Sequence, residues 1–253
     1  MPKKIESVAD LLTVAGSIRD DWEGELWWRG QSSIDYKLVA GVYRQDRGIR
    51  AEQNLCLRFR QQARTRHASC PNDNDFAAWL FLAQHYGLPT RLLDWTESPL
   101  VSLYFSVVGN PAKDGVIFAL HPRDMNRATN GDPTLVPLSS SPAKELIYAA
   151  FDDNVVMGKH LAILSNELDP RMLVQQGVFT IHGTGEDLSR VDKLGGVLTR
   201  FIVSSNAKSR IAAELDWLGV RRRTLFPDLA SLADDLSRMS FSECGILGPN
   251  CNG

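Results

Sequence analysis

At the centre of the chain lies QHYGLPTRLLDWTESP, residues 84–99. The apolar periodicity that leads into it predicts a helix over 74–86, which the following glycine and proline terminate. Residues 90–95 then predict a short strand, and a proline at a first-turn position predicts a second helix over 99–108. The interruption by glycine and proline is flanked by histidine, tyrosine, arginine, aspartate and glutamate. Because binding residues collect at the ends of elements, this stretch predicts a functional site.

Outward from this stretch, hydrophobic periodicity predicts the remaining elements. Helices are predicted over 7–21, 49–67, 207–218 and 228–239, and strands over 25–31, 115–121, 177–182 and 197–203. The proline-containing stretch 123–158 predicts an irregular surface excursion with one short helix. Helices before, between and after well-separated strands predict an α+β domain rather than a regular βαβ series.

Length and composition are those of an ordinary globular protein. The 253 residues predict a single domain over 1–253, with a flexible tail at 241–253. The 28 Lys and Arg against 30 Asp and Glu give a net charge of −2, which excludes a chain that binds nucleic acid through its overall charge. A local basic face stays compatible with that balance. The absence of a secretory leader and of an apolar run of about 20 residues predicts a cytoplasmic protein with no membrane partner.

The cysteines favour reduced thiols and no metal site. They are Cys56, Cys70, Cys244 and Cys251, with no CxxC pair among them. His67 and Cys70 have the spacing of a ligand pair, but no second pair with suitable spacing follows.

Four segments resemble the FRG domain family, in the family's order. They are WWRGQ (27–31), FLAQHYGLPTRLLDWTESPLVSLYFSV (81–107), QQGVFTIHG (175–183) and LGVRRRTLFPDL (218–229). The resemblance runs from about residue 20 to 240, nearly the whole chain. It identifies the protein as one built on an FRG domain.

The layout is also similar to that of ADP-ribosyltransferases of the Arg–Ser–Glu type. Arg29 falls on the first predicted strand, Thr96-Glu97-Ser98 precedes a helix, and Gln176 precedes the strand at 177–182. This similarity implies a split, mixed β-sheet core flanked by helices, with NAD bound in the cleft as a substrate.

The similarity also implies binding roles. Arg29, beside Gly30, would grip a phosphate or ribose oxygen of NAD with its planar fork. Thr96 and Ser98 would hydrogen-bond the ribose, and Tyr86 would stack on nicotinamide. Structural alternatives stay open: an ion pair for Arg29, a helix cap for Ser98 and a core position for Tyr86.

The catalytic position departs from the pattern, because Gln176 stands where those enzymes have a glutamate. Glutamine keeps a hydrogen bond to ribose but loses the charge that stabilises a positive sugar. Glu97 or Asp94 would then substitute, or catalysis is slow, or the fold only binds. His85 is a candidate general base, with a buried histidine satisfied within the turn as the alternative.

Two arginine clusters suggest a nucleic-acid acceptor. Arg60 and Arg64 share one face of the predicted helix at 49–67, and Arg221 and Arg222 precede LFPDL. Such local charge would hold the phosphate backbone of RNA or DNA, and a solvated helix face is the alternative.

The favoured function is an NAD-dependent ADP-ribosyltransferase that modifies a macromolecule, RNA or DNA among the candidates. By resemblance alone it would be a bacterial toxin or phage-defence effector, controlled by an antitoxin or chaperone. Two alternatives are a nuclease with Asp94 and Glu97 as metal ligands, and a catalytically inactive nucleotide-binding module.

Overall fold

The computed structural model describes residues 4–20, 24–44, 49–152, 158–165 and 170–238. The strands are β1 (Lys4–Ile5), β2 (Trp27–Gln31), β3 (Leu92–Thr96), β4 (Gly115–Leu120), β5 (Val136–Pro137), β6 (His160–Leu164), β7 (Gly177–His182) and β8 (Leu198–Val203). The helices are α1 (Val8–Asp20), α2 (Ile49–Ala63), α3 (Phe76–His85), α4 (Pro99–Val107), α5 (Pro122–Asn130), α6 (Ser141–Tyr148), α7 (Pro170–Gln175), α8 (Lys208–Trp217), α9 (Arg222–Leu225) and α10 (Leu229–Arg238). None of these helices has the length and apolar character needed to cross a bilayer.

The eight strands form one mixed sheet in the order β1-β8-β4-β2-β3-β7-β6-β5. The outermost pairs, β1 with β8 and β5 with β6, are parallel, and the other neighbours are antiparallel. The predicted α+β class is therefore confirmed, and hydrogen bonding runs across the whole sheet.

The two central strands of the sheet, β2 and β3, pair with each other along fewer residues than they pair with their outer neighbours. β2 pairs with β4 along five residues, and β3 pairs with β7 along five. In the described structure β2 and β3 share one pair, Trp28 opposite Thr96. The two four-stranded halves therefore diverge from this point and leave an opening between their central strands.

Three buried clusters hold the helices on the sheet. One joins α1, α4 and α8 to the half that contains β8, β4 and β2, with Leu103, Ile117 and Ile211 fully buried. A second packs α2, α3 and α6 against β6 and β7. The third covers the other face of the central strands and includes Trp95 and Met125. Both halves of the sheet are thus fixed by their own helices.

The prediction of an irregular excursion over 123–158 is wrong. This stretch contains α5, β5 and α6, and Met125 and Leu146 are fully buried. The prediction took prolines within the stretch as a sign of irregular chain, but Pro142 occupies a first-turn position of α6, and Pro122 just before the stretch begins α5 in the same way. The strand β6 was also missed.

Smaller boundary differences lie elsewhere in the chain. The helix predicted over 49–67 ends at Ala63, and the strand predicted from residue 25 begins at Trp27. The last residue of the predicted helix 228–239 and the predicted flexible tail at 241–253 lie outside the described residues.

Gly30 allows β2 to pack directly against the backbone of α4. A Cβ atom at this position would lie 1.7 Å from the Ser102 carbonyl oxygen and 2.8 Å from the Ser106 amide nitrogen. Since both neighbours are helix backbone, neither can rotate away as a side chain would. The glycine is therefore a packing requirement of this strand.

We expect Gly30→Ala to destabilise the fold by more than about 4 kcal/mol, because helix and strand must separate to accept the methyl group. The matched control is Gly16→Ala in α1, where an added Cβ meets nothing within 4 Å. In a helix that substitution should be neutral or stabilising by about 0.5–1 kcal/mol. Chemical denaturation measures both, and equal midpoints for the two variants would contradict the packing role.

Candidate functional site

A cavity of about 540 Å³ opens where β2 and β3 diverge. Its lining comes from both central strands, the C-terminal end of α3, the helices α4 and α7, and the segments that follow β2 and α3. The residues are Trp28, Arg29, Gly30, Gly41, Arg44, Phe81, Gln84, His85, Gly87, Leu88, Pro89, Leu92, Asp94, Trp95, Thr96, Val101, Phe105, Arg171, Met172, Gln175, Gly177 and Phe179. We call this cavity the central cleft.

The central cleft is basic and aromatic. Arg29, Arg44 and Arg171 line it, and Asp94 is the one carboxylate among its described lining residues. Five aromatic rings complete the walls, those of Trp28, Phe81, Trp95, Phe105 and Phe179. In a chain of net charge −2, this local excess of arginine favours an anionic ligand with planar groups.

Arg29 bridges the divergence of the two strands. Its Nη1 donates to the backbone carbonyl of Asp94 and lies 3.9 Å from the Asp94 Oδ2. Burial lowers the pKa of Arg29 to about 10, and the negative charge of Asp94 opposes that shift. The side chain therefore stays cationic at neutral pH. Its buried Nε has no hydrogen-bond partner among the described residues, so the guanidinium is not fully satisfied by these contacts.

A polar network holds Asp94 beside Arg29. The Gln84 side-chain amide donates to both Asp94 carboxylate oxygens at 3.0 Å. The Thr90 hydroxyl donates to Gln84 Oε1 at 2.6 Å and accepts from the Leu92 amide at 3.1 Å. The end of α3 is thereby tied to the start of β3, which fixes the orientation of the carboxylate.

Arg91 is a structural residue. It forms a buried ion pair with Glu52 of α2. Arg91 Nη2 donates to Glu52 Oε2 at 2.6 Å and to the Ala149 carbonyl at 2.9 Å, and its Nε donates to both Glu52 oxygens at 3.1 Å. Glu52 and Arg91 are 0 % and 1 % exposed, so each neutralises a charge that would otherwise be buried alone.

The turn residues take part in backbone contacts next to the cleft. Thr96 lines the cleft, while its hydroxyl donates to the Gln175 carbonyl at 2.6 Å and accepts from the Ser98 amide at 3.0 Å. Ser98 caps α4 by accepting from the Val101 amide at 3.4 Å, so the cap alternative is confirmed. Ser98 is not among the described cleft-lining residues.

Gln176 and Glu97 meet at the edge of the cleft. The Glu97 amide donates to the Gln176 carbonyl at 3.0 Å, and both residues are exposed. Gln176 has a φ of +47°, in the left-handed region, at the turn between α7 and β7. Its neighbour Gln175 lines the cleft, whereas Gln176 and Glu97 are absent from the described lining.

The two predicted residues at the end of α3 separate in the structure. His85 lines the central cleft. Tyr86 is 58 % exposed, is not among the described lining residues, and forms a 3.2 Å hydrogen bond between its hydroxyl and His67 Nδ1. The structure therefore keeps His85 as a cleft residue and places the Tyr86 ring on the neighbouring surface.

The arginines of α2 contact aromatic rings. The Arg60 guanidinium lies 5.4 Å from the centroid of Phe76, and that of Arg64 lies 5.8 Å from the ring of Trp79. Arg64 also pairs with Asp73. Cation–π contact of this kind stabilises the packing of α2 on α3.

The second arginine cluster adjoins the cleft. Arg222 and the cleft residue Arg171 lie 5.9 and 4.5 Å from the centroid of the same ring, that of Phe226. Phe226 in turn contacts Phe105 of the cleft wall, with 6.1 Å between ring centroids. Arg221 lies 3.6 Å from the Asp216 carboxylate through its Nη1. The four predicted nucleic-acid residues therefore lie in two parts of the structure: Arg60 and Arg64 beside α3, and Arg221 and Arg222 in the cluster next to the cleft.

Residues 24–115 match the family model of the FRG domain. This part of the chain is an FRG domain. It supplies β2, α3, β3 and α4, and hence most of the cleft, while α7 and β7 come from outside the matched residues. No curated protein and no solved structure gives a significant match to the chain. The wider resemblance over about 20–240 stays a prediction.

Sequence reasoning gave no role to four polar residues of the cleft, Arg44, Gln84, Arg171 and Gln175. Gln84 lies in the quoted stretch 84–99, and its place at a helix end within that stretch was the signal that could have identified it. Arg44 and Arg171 follow no recognisable motif and reach the cleft only through the fold. Within the described ranges, no group of three or more His, Cys, Asp or Glu is arranged to hold a metal ion.

A second cavity, of about 500 Å³, lies between α3 and α6. Its described lining has two charged residues, Asp75 and Lys144, and Asp75 caps α3 by accepting from the Ala78 amide. The central cleft is therefore the better candidate for chemistry.

We expect Glu52→Gln to destabilise the protein by about 3–5 kcal/mol, because it leaves the Arg91 charge buried without its counter-ion. The matched control is Asp35→Asn, which breaks the exposed 2.6 Å pair with Lys113 and should change stability little. Urea denaturation of both variants measures the difference. A Glu52→Gln midpoint no lower than that of the control would show that Arg91 does not need its partner.

Proposed function

We propose that the protein is an NAD-dependent ADP-ribosyltransferase whose central cleft binds NAD. The observation that supports this proposal is the set of three arginines and five aromatic rings in one cavity at the divergence of β2 and β3. On this reading the sheet is a split core of ADP-ribosyltransferase type, and the opening between its halves is the NAD site.

The lining is complementary to a dinucleotide. A pyrophosphate carries negative charge that Arg29, Arg44 and Arg171 can bind through charge-assisted hydrogen bonds. The aromatic walls offer apolar surface to adenine and nicotinamide. A volume of about 540 Å³ is also within the range of ordinary ligand sites, about 300–1,000 Å³.

The reaction breaks the bond between C1′ of the ribose and the nicotinamide nitrogen, which leaves with the electron pair. C1′ becomes oxocarbenium-like and forms a new bond to a nucleophilic atom of the acceptor. Asp94, the one carboxylate among the described lining residues, would stabilise that positive charge. His85 is the cleft residue that can take the proton released by the acceptor.

Gln176 and Glu97 would act from the edge of the cleft. Their backbones are joined, and both side chains are exposed there, on the side where an acceptor would arrive. Gln176 would then hydrogen-bond the ribose or the acceptor without supplying charge. This arrangement assigns the electrostatic role to Asp94 and leaves a positioning role for Gln176.

The acceptor is proposed to be a macromolecule, with RNA and DNA as candidates. Support comes from Arg222, which shares the Phe226 ring with Arg171 and so extends the basic lining beyond the cleft. The Arg60 and Arg64 cluster on α2 would offer a second contact for a phosphate backbone. By resemblance to bacterial transferases, such an activity would serve as a toxin or a phage-defence effector, with an antitoxin or chaperone as its controller.

We expect transfer of label from NAD that carries its label in the adenylate phosphate, with release of free nicotinamide. Arg29→Lys and Arg171→Ala should each lower kcat/KM for NAD about tenfold or more, because a hydrogen bond to a charged group contributes about 1.5–3 kcal/mol. The matched control is Arg200→Ala, an exposed position on β8 outside the described cleft lining, which should leave activity unchanged.

Incubation with a cell lysate, followed by separation of protein, RNA and DNA, names the acceptor class. NAD binding by calorimetry without label transfer or nicotinamide release would indicate an inactive nucleotide-binding module. Cleavage of nucleic acid that needs Mg²⁺ and no NAD would indicate the nuclease. Equal activity of Arg29→Lys, Arg171→Ala and the control would place the active site elsewhere.

A further inference from the structure

Two histidines face each other inside the sheet. His160 of β6 and His182 of β7 are register partners, and they are 2 % and 0 % exposed. Their Nδ1 atoms lie 2.9 Å apart, within hydrogen-bond distance. Since two protonated nitrogens would repel at this distance, one of the two Nδ1 atoms must carry a proton and the other must accept it.

The pair belongs to a chain of hydrogen bonds that reaches the central cleft. The indole nitrogen of Trp95, a cleft residue, donates to Thr180 Oγ1 at 3.0 Å. Thr180 Oγ1 lies 2.7 Å from His182 Nε2. At the other end, His160 Nε2 lies 3.5 Å from Thr184 Oγ1.

One direction of these hydrogen bonds gives the Thr180 hydroxyl proton an acceptor. An indole nitrogen only donates, so Thr180 Oγ1 accepts from Trp95 and its own proton needs an acceptor. His182 Nε2 is that acceptor within the chain. The proton of His182 is then on Nδ1 and is donated to His160 Nδ1. This assignment leaves the proton of His160 on Nε2, directed at Thr184.

One added proton changes this pattern in a defined way. The pair then holds three protons on four ring nitrogens, and one of them lies between the two Nδ1 atoms. Both Nε2 atoms must carry the other two, whichever ring bears the charge. His182 Nε2 therefore becomes a donor, and the Thr180 hydroxyl proton loses its acceptor in the chain.

The charged surroundings favour the neutral pair at pH 7. Burial lowers the pKa of His182 well below its usual range, and His160, Arg29 and Arg91 add to that effect. Burial also lowers the pKa of His160, against the pull of the Glu186 carboxylate 3.9 Å from its Nε2.

The remaining groups near the pair are structural. Tyr43 donates its hydroxyl to the His182 carbonyl at 3.1 Å, and the charge of Arg91 is already paired with Glu52. Glu186 is exposed, so the outer end of the chain lies near solvent.

We propose that His160 and His182 are positioning residues for the central cleft: the neutral pair orients Thr180 to hold the Trp95 indole in the cleft wall, and one proton taken up by the pair makes Thr180 Oγ1 accept from both Trp95 and His182, which weakens that hold. The inference goes beyond the proposed transferase activity and does not depend on which ligand the cleft binds.

The test follows the indole N–H resonance of Trp95 by NMR, assigned with Trp95→Phe, while the pH falls from about 7.5 to the acid limit of the folded protein, because both histidine pKa values lie below the ordinary value of about 6.5. We expect this resonance to move with the same midpoint as the imidazole resonances of His160 and His182. Thr180→Val, which keeps the branched shape but removes the hydroxyl, should abolish the movement. The imidazole resonances should still titrate in that variant.

Three further variants keep the result interpretable. Thr180→Ser restores a hydroxyl and should restore the movement of the Trp95 resonance. His160→Gln should abolish this movement. His121→Gln, which changes a buried histidine that is not part of these hydrogen bonds, should preserve it.

Three results would overturn the proposal. The Trp95 resonance could move in Thr180→Val with the midpoint of the native protein, which would mean that the effect acts through space. It could stay fixed while both histidines titrate. The histidines could also titrate only as the whole protein unfolds, which would make the pair a stability feature with no link to the cleft.

Discussion

The whole site depends on the point where β2 and β3 stop pairing. Beyond Trp28 and Thr96, continued antiparallel register would place Gly30 opposite Asp94. The Arg29 side chain instead donates to the Asp94 carbonyl, so a guanidinium takes the place of a strand hydrogen bond. This substitution keeps the two halves of the sheet together and leaves room for the central cleft. It also explains why a cation can be buried there, since the backbone oxygen and the nearby carboxylate offset its desolvation.

Two arginines, Arg29 on β2 and Arg91 just before β3, differ in role because their surroundings differ. Arg91 is enclosed by Glu52 and the Ala149 carbonyl, which satisfy the guanidinium within the protein. Arg29 has a carbonyl contact and a carboxylate at 3.9 Å, and its Nε is unpaired among the described residues. A satisfied buried ion pair supports the fold, whereas an incompletely satisfied cation in a cavity is suited to a ligand.

Local signals predicted the parts of the fold that are set locally. The proline that begins α4 and the apolar run of β4 are features of a few adjacent residues, and both elements form where expected. Arg29 and Thr96 were expected in the cleft from the similarity to ADP-ribosyltransferases, His85 was a candidate general base, and all three line the cleft. The partner of Arg91 is 39 residues away in sequence. Arg44 and Arg171, which are also distant in sequence, line the same cavity only because the fold brings their segments to it. Such pairings depend on tertiary packing, which no local pattern contains.

The cleft and the histidine pair are also connected by charge. The positive charge of Arg29 is one of the causes that lower the pKa of His182. An anion held by Arg29 would offset that charge and so make protonation of His182 less unfavourable. By reciprocity, a proton on the histidine pair would favour an anion at Arg29. The same proton would reverse the hydrogen bond between Thr180 and His182 and so weaken the contact that holds the Trp95 indole in the cleft wall. The two effects of one proton therefore oppose each other at the same site, and their balance depends on how far a ligand relies on charge or on contact with the indole.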